Sequence, residues 1–249
     1  MSRHAVACRA AALSFLVFAA SWAFTPLTGS SSGGRAIGTS SRRALEEDQE
    51  ERVPFKVPAA EGDYVVRIAQ ASNVSKATRY VTSQLQAHGQ VVLDCLGPNA
   101  VQQGLRVLQR EVNLHKEVLG KLGGSLALYP HFVETKEDKI SVQIHARPVA
   151  FQPCTSDLLR APAEDKITKL ASSIVARIEN DGCARVAALG KEKLYLTLKA
   201  LMRANIFVAR NAIDANEEAE PLWAVPSLET LEGMEMMSTV LTVVKGPPL

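Results

Sequence analysis

Of the 249 residues, 47% are apolar and 22% charged, and the formal charge is only +2. That balance excludes a chain disordered throughout and fits a globular body large enough to bury a core. The charge is nevertheless divided: the first 44 residues hold Arg3, Arg9, Arg35, Arg42 and Arg43 and no carboxylate, so that without those five the +2 becomes −3.

Arg3 to Arg9 is a short basic stretch, and Ala10 to Phe24 is an apolar one, too short for a membrane anchor but suited to a signal-peptide core. Small residues at Ala20, Ser21 and Ala23 supply what a signal peptidase needs. Thr25 to Arg43 is rich in Ser, Thr and Gly, basic and free of acids, the composition of a transit peptide. Glu46, Glu47, Asp48, Glu50 and Glu51 follow as a solvated spacer. The expected leader is therefore disordered, with a signal peptide over residues 1–24 and a transit peptide plus acidic linker over 25–61. Two addresses in series, with Phe24 directly after Ala23, resemble the bipartite presequence of plastid proteins in algae with secondary, red-derived chloroplasts. That resemblance implies delivery to the plastid (chloroplast) by the secretory route and a mature form outside any membrane. The alternative is plain secretion, in which Asn73-Val74-Ser75 would be a glycosylation acceptor.

Tyr64 to Ile68 alternates and is β-branched, which predicts a strand; Ser72, Asn73 and Ser75 then offer capping oxygens to a helix carrying Ala77, Val81 and Leu85. Gly89 ends that helix in a left-handed cap, and Val91 to Leu96 is a short apolar strand. Gly97-Pro98-Asn99 turns the chain into a second helix with Val101, Leu105, Leu108 and Val112 on one face. After Gly123-Gly124 come a strand at Leu126 to Tyr129, a polar loop at Pro130 to Lys139 and an alternating final strand at Ile140 to Ala146, on which His145 is expected at the surface.

The chain then repeats itself. Ser75 to Leu114 lies over Thr168 to Phe207 without a gap at an offset of 93, pairing Lys76 with Lys169, Gly89 with Gly182, Gly97 with Gly190, Leu105 with Leu198 and Arg110 with Arg203. Pro130 and Pro226 stand 96 apart, which places an insertion near Asn211 to Glu220. The second copy's first strand is left open between Asp157 to Lys166, where Pro162, Glu164 and Asp165 read as loop, and Pro148 to Phe151, or is lost. The expected fold class is α/β, an α+β sandwich of two tandem βαβαββ units, residues 62–150 and 151–249, packed side by side. The four cysteines, Cys8, Cys95, Cys154 and Cys183, show no Cys-x-x-Cys spacing, and free buried thiols are the expectation.

Tyr64 to Pro148, and within it Val91 to Gln103, resembles the bacterial stage V sporulation protein S family in the turn Gly97, Ala100 and Gln102 or Gln103, in Tyr129-Pro130-His131-Phe132 and in Ala146-Arg147-Pro148. The second copy departs at Lys191, Glu192 and Lys193 and at Pro226-Ser227-Leu228, as a diverged member would. That family resembles more distantly the Alba-type nucleic-acid-binding fold. The resemblance implies that protomers pair as a dimer and present helix ends and hairpin arms to DNA or RNA; here the pairing could lie within the chain, as a pseudo-dimer, or between chains.

Phosphate binding needs cations, and the candidates are Lys76 and Arg79 on the first helix, Arg106 and Arg110 on the second, Lys136 and Lys139 at the hairpin, and Lys169, Lys191 and Lys193 in the second copy. Each is also what an ordinary solubilising surface carries. Residues 63–147 hold ten Lys or Arg against seven acids, and 157–245 hold eleven against thirteen, so DNA or RNA binding is expected to be weak and salt-sensitive. Tyr129 or Phe132 could stack on bases, although either also reads as core. His88, His115, His131 and His145 are scattered, no metal spacing or Walker lysine appears, and no catalytic residue, metal or cofactor is expected. A non-catalytic protein-interaction or assembly module is the alternative, served by Leu231, Met234, Met236 and Met237 near the acidic second hairpin.

Overall fold

The computed structural model describes residues 64–114, 124–135, 140–150, 153–231 and 237–246, all of them within one compact unit. The leader readings, with their cleavage and targeting signals, lie outside the described residues, as do Lys136, Lys139, Met234 and Met236. Each copy runs strand, helix, strand, helix, strand, strand. The first is β1 (Val65–Ile68), α1 (Val74–His88), β2 (Val91–Leu96), α2 (Gly97–Leu114), β3 (Gly124–Glu134) and β4 (Ile140–Ala150). The second is β5 (Leu158–Arg160), α3 (Ile167–Asp181), β6 (Cys183–Ala188), α4 (Lys191–Ala215), β7 (Leu222–Thr230) and β8 (Met237–Lys245), with a 3-10 turn at Glu164–Lys166 before α3. The fold is thus mixed α+β, two βαβαββ halves in one molecule.

The repeat is exact enough in the helices to be read from their ends: α1 and α3 start and stop 93 residues apart and both close on a left-handed glycine, Gly89 at φ 70° and Gly182 at φ 74°. Val65 pairs with Val92, and Leu158 with Arg185, so the parallel strand pairs share one register. The second copy's first strand therefore sits where the offset puts it, at Leu158–Arg160, with Pro162 just beyond its end. Residues 148–150 belong to β4.

All eight strands form one sheet in the order β1-β2-β4-β3-β7-β8-β6-β5, which is one half followed by the same half reversed. A pseudo-twofold axis therefore passes between β3 and β7, where Leu128 pairs with Ala224, 96 positions on and its own repeat equivalent. The ladder there is a single pair because Pro130 and Pro226, two residues past the axis in each strand, lack the N–H that a further rung would need. The same prolines read as the start of a loop in the sequence; β3 instead continues through Pro130 to Glu134, since its hydrogen bonds go to β4 on the other side.

All four helices pack with one face of the sheet in one continuous apolar cluster, from Val81, Leu93 and Leu105 across Leu128 and Ala224 to Leu198, Val186 and Ile174. Gly104 brings α2 down onto β2: a Cβ there would meet Cys95 Sγ at 2.9 Å. At the equivalent positions the second copy has Thr197 and Ala188, both buried, so bulk has moved from the strand to the helix. On the other face Ala127, Tyr129, Trp223 and Val225 form a smaller cluster over the axis. The expectation of free thiols is corrected there: Cys154 and Cys183 are disulfide-bonded, with Cα atoms 6.0 Å apart, and only Cys95 is free among the described residues. The pairing is tertiary, since the segment entering β5 passes the first residue of the neighbouring β6, and a separation of 29 residues carries no local signature.

Candidate nucleic-acid interface

The cations of the first copy are set by two helix starts. Asn73 caps α1 by accepting from the Lys76 N–H at 3.1 Å, and Val81 and Leu85 turn inward, which leaves Lys76 and Arg79 exposed on the outer side of the first turns. Tyr80 stands beside them, 48% exposed. Helix α2 begins at Gly97, whose φ of 79° suits glycine. Its first turn is tied to the end of β1 by Asn99 Nδ2 donating to Gln70 Oε1 at 3.0 Å. Arg106 and Arg110, one turn apart, lie exposed along its crest.

Glu111 is the one carboxylate in α1 and α2, and it is buried at 2% exposure and accepts a hydrogen bond from the Thr82 hydroxyl of α1. The outward charges of these two helices are therefore all positive. Lys76, Arg79, Arg106 and Arg110 form no ion pair with any described residue.

The second copy spends the same positions differently. Lys169 and Lys191 are exposed, but Lys193 is half-buried and its Nζ donates to the Pro162 carbonyl at 2.8 Å. Arg177 of α3 bridges Asp157 and Asp181 at 3.3 and 3.1 Å, and Arg185 pairs with Glu229. Strands β2 and β6 run in opposite senses in the common sheet, so α1 and α2 start at one end of it and α3 and α4 at the other. The seven described candidates are accordingly not one patch. Lys76 and Arg79 lie at the end shared with the first hairpin, and Lys169, Lys191 and Lys193 at the opposite end. Arg106 lines a cavity of about 240 Å³ between α2 and the start of α4, beside Gly190 and Leu194.

Sequence reasoning paired Arg203 with Arg110 through the offset of 93 but counted neither it nor Lys199, the repeat equivalent of Arg106, among the candidate cations. Lys199 lies over the Tyr195 ring at 5.2 Å, and Tyr195 meets Phe132 edge-on at 5.6 Å. Tyr80 was also passed over, because a single aromatic on a polar helix face has no periodic signature.

The far face of the sheet is built differently. Tyr129 is fully buried, its ring 5.7 Å from Trp223, and Arg147 stacks over Trp223 at 4.0 Å. His145, expected at the surface, is half-buried, and its Nε2 has no hydrogen-bond partner. Burial, reinforced by nearby His131, lowers its pKa to about 4. The alternation expected of β4 holds at Val142, Ile144 and Ala146, which are buried, against Gln143 and His145, which are half-buried, but Ile140 is exposed and Ser141 buried. His131 and His145 share this face; even so, no cluster of three or more metal-ligating side chains occurs among the described residues.

Comparison with protein-family models, with curated proteins and with solved structures returns no match. No helix among the described residues is long and apolar enough to cross a membrane.

Proposed function

We propose that this protein binds nucleic acid without catalysis, as a tandem, plastid-targeted relative of the stage V sporulation protein S and Alba-like proteins, and that the α1–α2 face of its first half is the phosphate-binding surface. The observation that carries the reading is charge: four exposed cations on two adjacent helices whose single carboxylate is turned inward. Phosphate neutralisation by such cations displaces condensed counterions and makes affinity fall with salt. In the second half Arg177 and Arg185 are ion-paired and Lys193 is drawn inward, while Lys169 and Lys191 stay exposed, so that half contributes less to phosphate binding.

The test is fluorescence anisotropy of the full chain with labelled DNA and RNA between about 50 and about 200 mM salt. Replacing Lys76, Arg79, Arg106 and Arg110 by alanine should weaken binding and flatten the slope of log affinity against log salt by about 3, near 0.7 per phosphate contact on a single strand. A folded protein that binds neither polymer at the lower salt concentration refutes the reading. A protein-interaction module is the second reading, favoured by Leu228 and Met237, exposed by 45% and 58% at the base of the second hairpin.

A further inference from the structure

We infer that the polymer taken by this face is single-stranded, and that Tyr80 is the platform on which one of its bases stacks. This rests on the α1–α2 face being the phosphate-binding surface, and it adds the class of nucleic acid and a residue that discriminates it.

The two rings that the sequence offered for stacking are spent inside the fold: Tyr129 is fully buried against Trp223, and Phe132 is half-buried against Tyr195. Tyr80 is 48% exposed on α1, on the cationic face. It lies four residues after Lys76 and one after Arg79 on α1, which puts its Cβ about 6 Å from that of Lys76 on the helix surface. A phosphate held by Lys76 or Arg79 therefore has its own base within reach of the ring. A duplex cannot use this arrangement, because its bases are paired and stacked inside while the phosphates alone face a helix crest. A single strand can, and a base on an aromatic ring adds to the phosphate attraction irrespective of sequence.

The second copy is an internal control. At the positions equivalent to Arg79 and Tyr80 it has Ser172 and Ser173, whose hydroxyls fold back onto the helix at Thr168 O and Lys169 O, 3.2 and 2.9 Å away. Lys169 is kept without the cation and the ring that would make it a strand-binding site.

Anisotropy titrations of the full chain would use three fluorescein-labelled probes of about 16 nucleotides: single-stranded DNA, the same sequence as RNA, and the DNA duplex. The expected result is tighter binding of the single strands than of the duplex. Tyr80→Ala and Tyr80→Leu should each weaken single-strand binding about tenfold while changing duplex binding less than about twofold, and Tyr80→Trp should keep single-strand affinity. The leucine variant preserves apolar contact, so a loss shared by Ala and Leu but not Trp reads stacking and not damage to the fold.

Single-strand binding that is indifferent to Tyr80, or a loss of equal size on the duplex, overturns this inference while leaving the phosphate-binding surface standing. Absence of binding to all three probes removes both.

Discussion

Gly104 and Cys95 test whether the two copies are packed by the same rule with the bulk redistributed. In isolation Gly104→Ala should help, since alanine in a helix interior is favoured over glycine by about 1 kcal/mol. Here the added methyl would sit 2.9 Å from Cys95 Sγ and 3.4 Å from Leu93 Cδ1, both fully buried. Overpacking of this kind costs about 1–3 kcal/mol, which outweighs the propensity gain, so the single substitution should destabilise by up to about 2 kcal/mol. Cys95→Ala empties the space that the methyl needs and recreates Ala188 of the second copy. In that background Gly104→Ala should become stabilising by up to about 1 kcal/mol, so that a double-mutant cycle gives a coupling of about 1–3 kcal/mol. Urea unfolding followed by far-UV circular dichroism measures all four proteins, and equal slopes against urea show that only stability has changed. If Gly104→Ala has the same sign and size with and without the Cys95 sulfur, the proposed exchange of volume between helix and strand is wrong.

Two further outcomes are expected. Leu128 is fully buried at the pseudo-twofold axis, so Leu128→Ala should cost about 2–5 kcal/mol. It should also move the whole unfolding transition, read by Trp223 emission in a Trp22→Phe background and by circular dichroism, whereas halves that melt separately would contradict one shared core. His145 is neutral in the fold with its pKa lowered from 6.5 to about 4, so the unfolded chain takes up the proton first: stability is full above pH 6.5 and drains away as pH falls to about 4. The ceiling is about 3 kcal/mol; His145→Gln should flatten this part of the stability–pH curve, and an unchanged curve would refute the assignment.

What could be read in the sequence and what could not divides along local and non-local lines. Gly89, Gly97, Gly182 and Gly190 mark helix ends and starts because each needs a positive φ, between 70° and 82°, and a left-handed residue is a local event. The first and second helices of both copies followed from apolar spacing for the same reason. Pro130 misled, since proline inside a central strand is ordinarily excluded; the structure accommodates it because the sheet is barely laddered on that side, a fact that exists only once two copies meet. The disulfide, the burial of His145 and the choice between Tyr129, Phe132 and Tyr80 as the exposed ring likewise depend on which faces are covered. Lys199 and Arg203 were passed over as candidates, and the separation of the described candidates to opposite ends of one sheet follows from strand sense across the axis, which no segment of sequence encodes by itself.

Joining two copies in one chain has a physical consequence that a dimer of identical protomers does not share. In a twofold dimer each surface residue appears twice, so any change that pairs or removes a cation acts on both faces at once. In the tandem chain both copies keep residues that cannot be replaced cheaply, the left-handed glycines at the helix ends and, at the seam, the two prolines and the buried Leu128–Ala224 pair. Exposed positions carry no such constraint. Arg79 and Tyr80 face Ser172 and Ser173 across the repeat, and the outward cations of α1 and α2 contrast with Arg177, held by Asp157 and Asp181, in α3. Ion pairs this exposed are screened by solvent and add little to stability. On the proposed function, their effect is to weaken the field of one half, so that a polyanion would meet the more attractive face on α1 and α2 of the other, where a symmetric dimer would offer two equal faces.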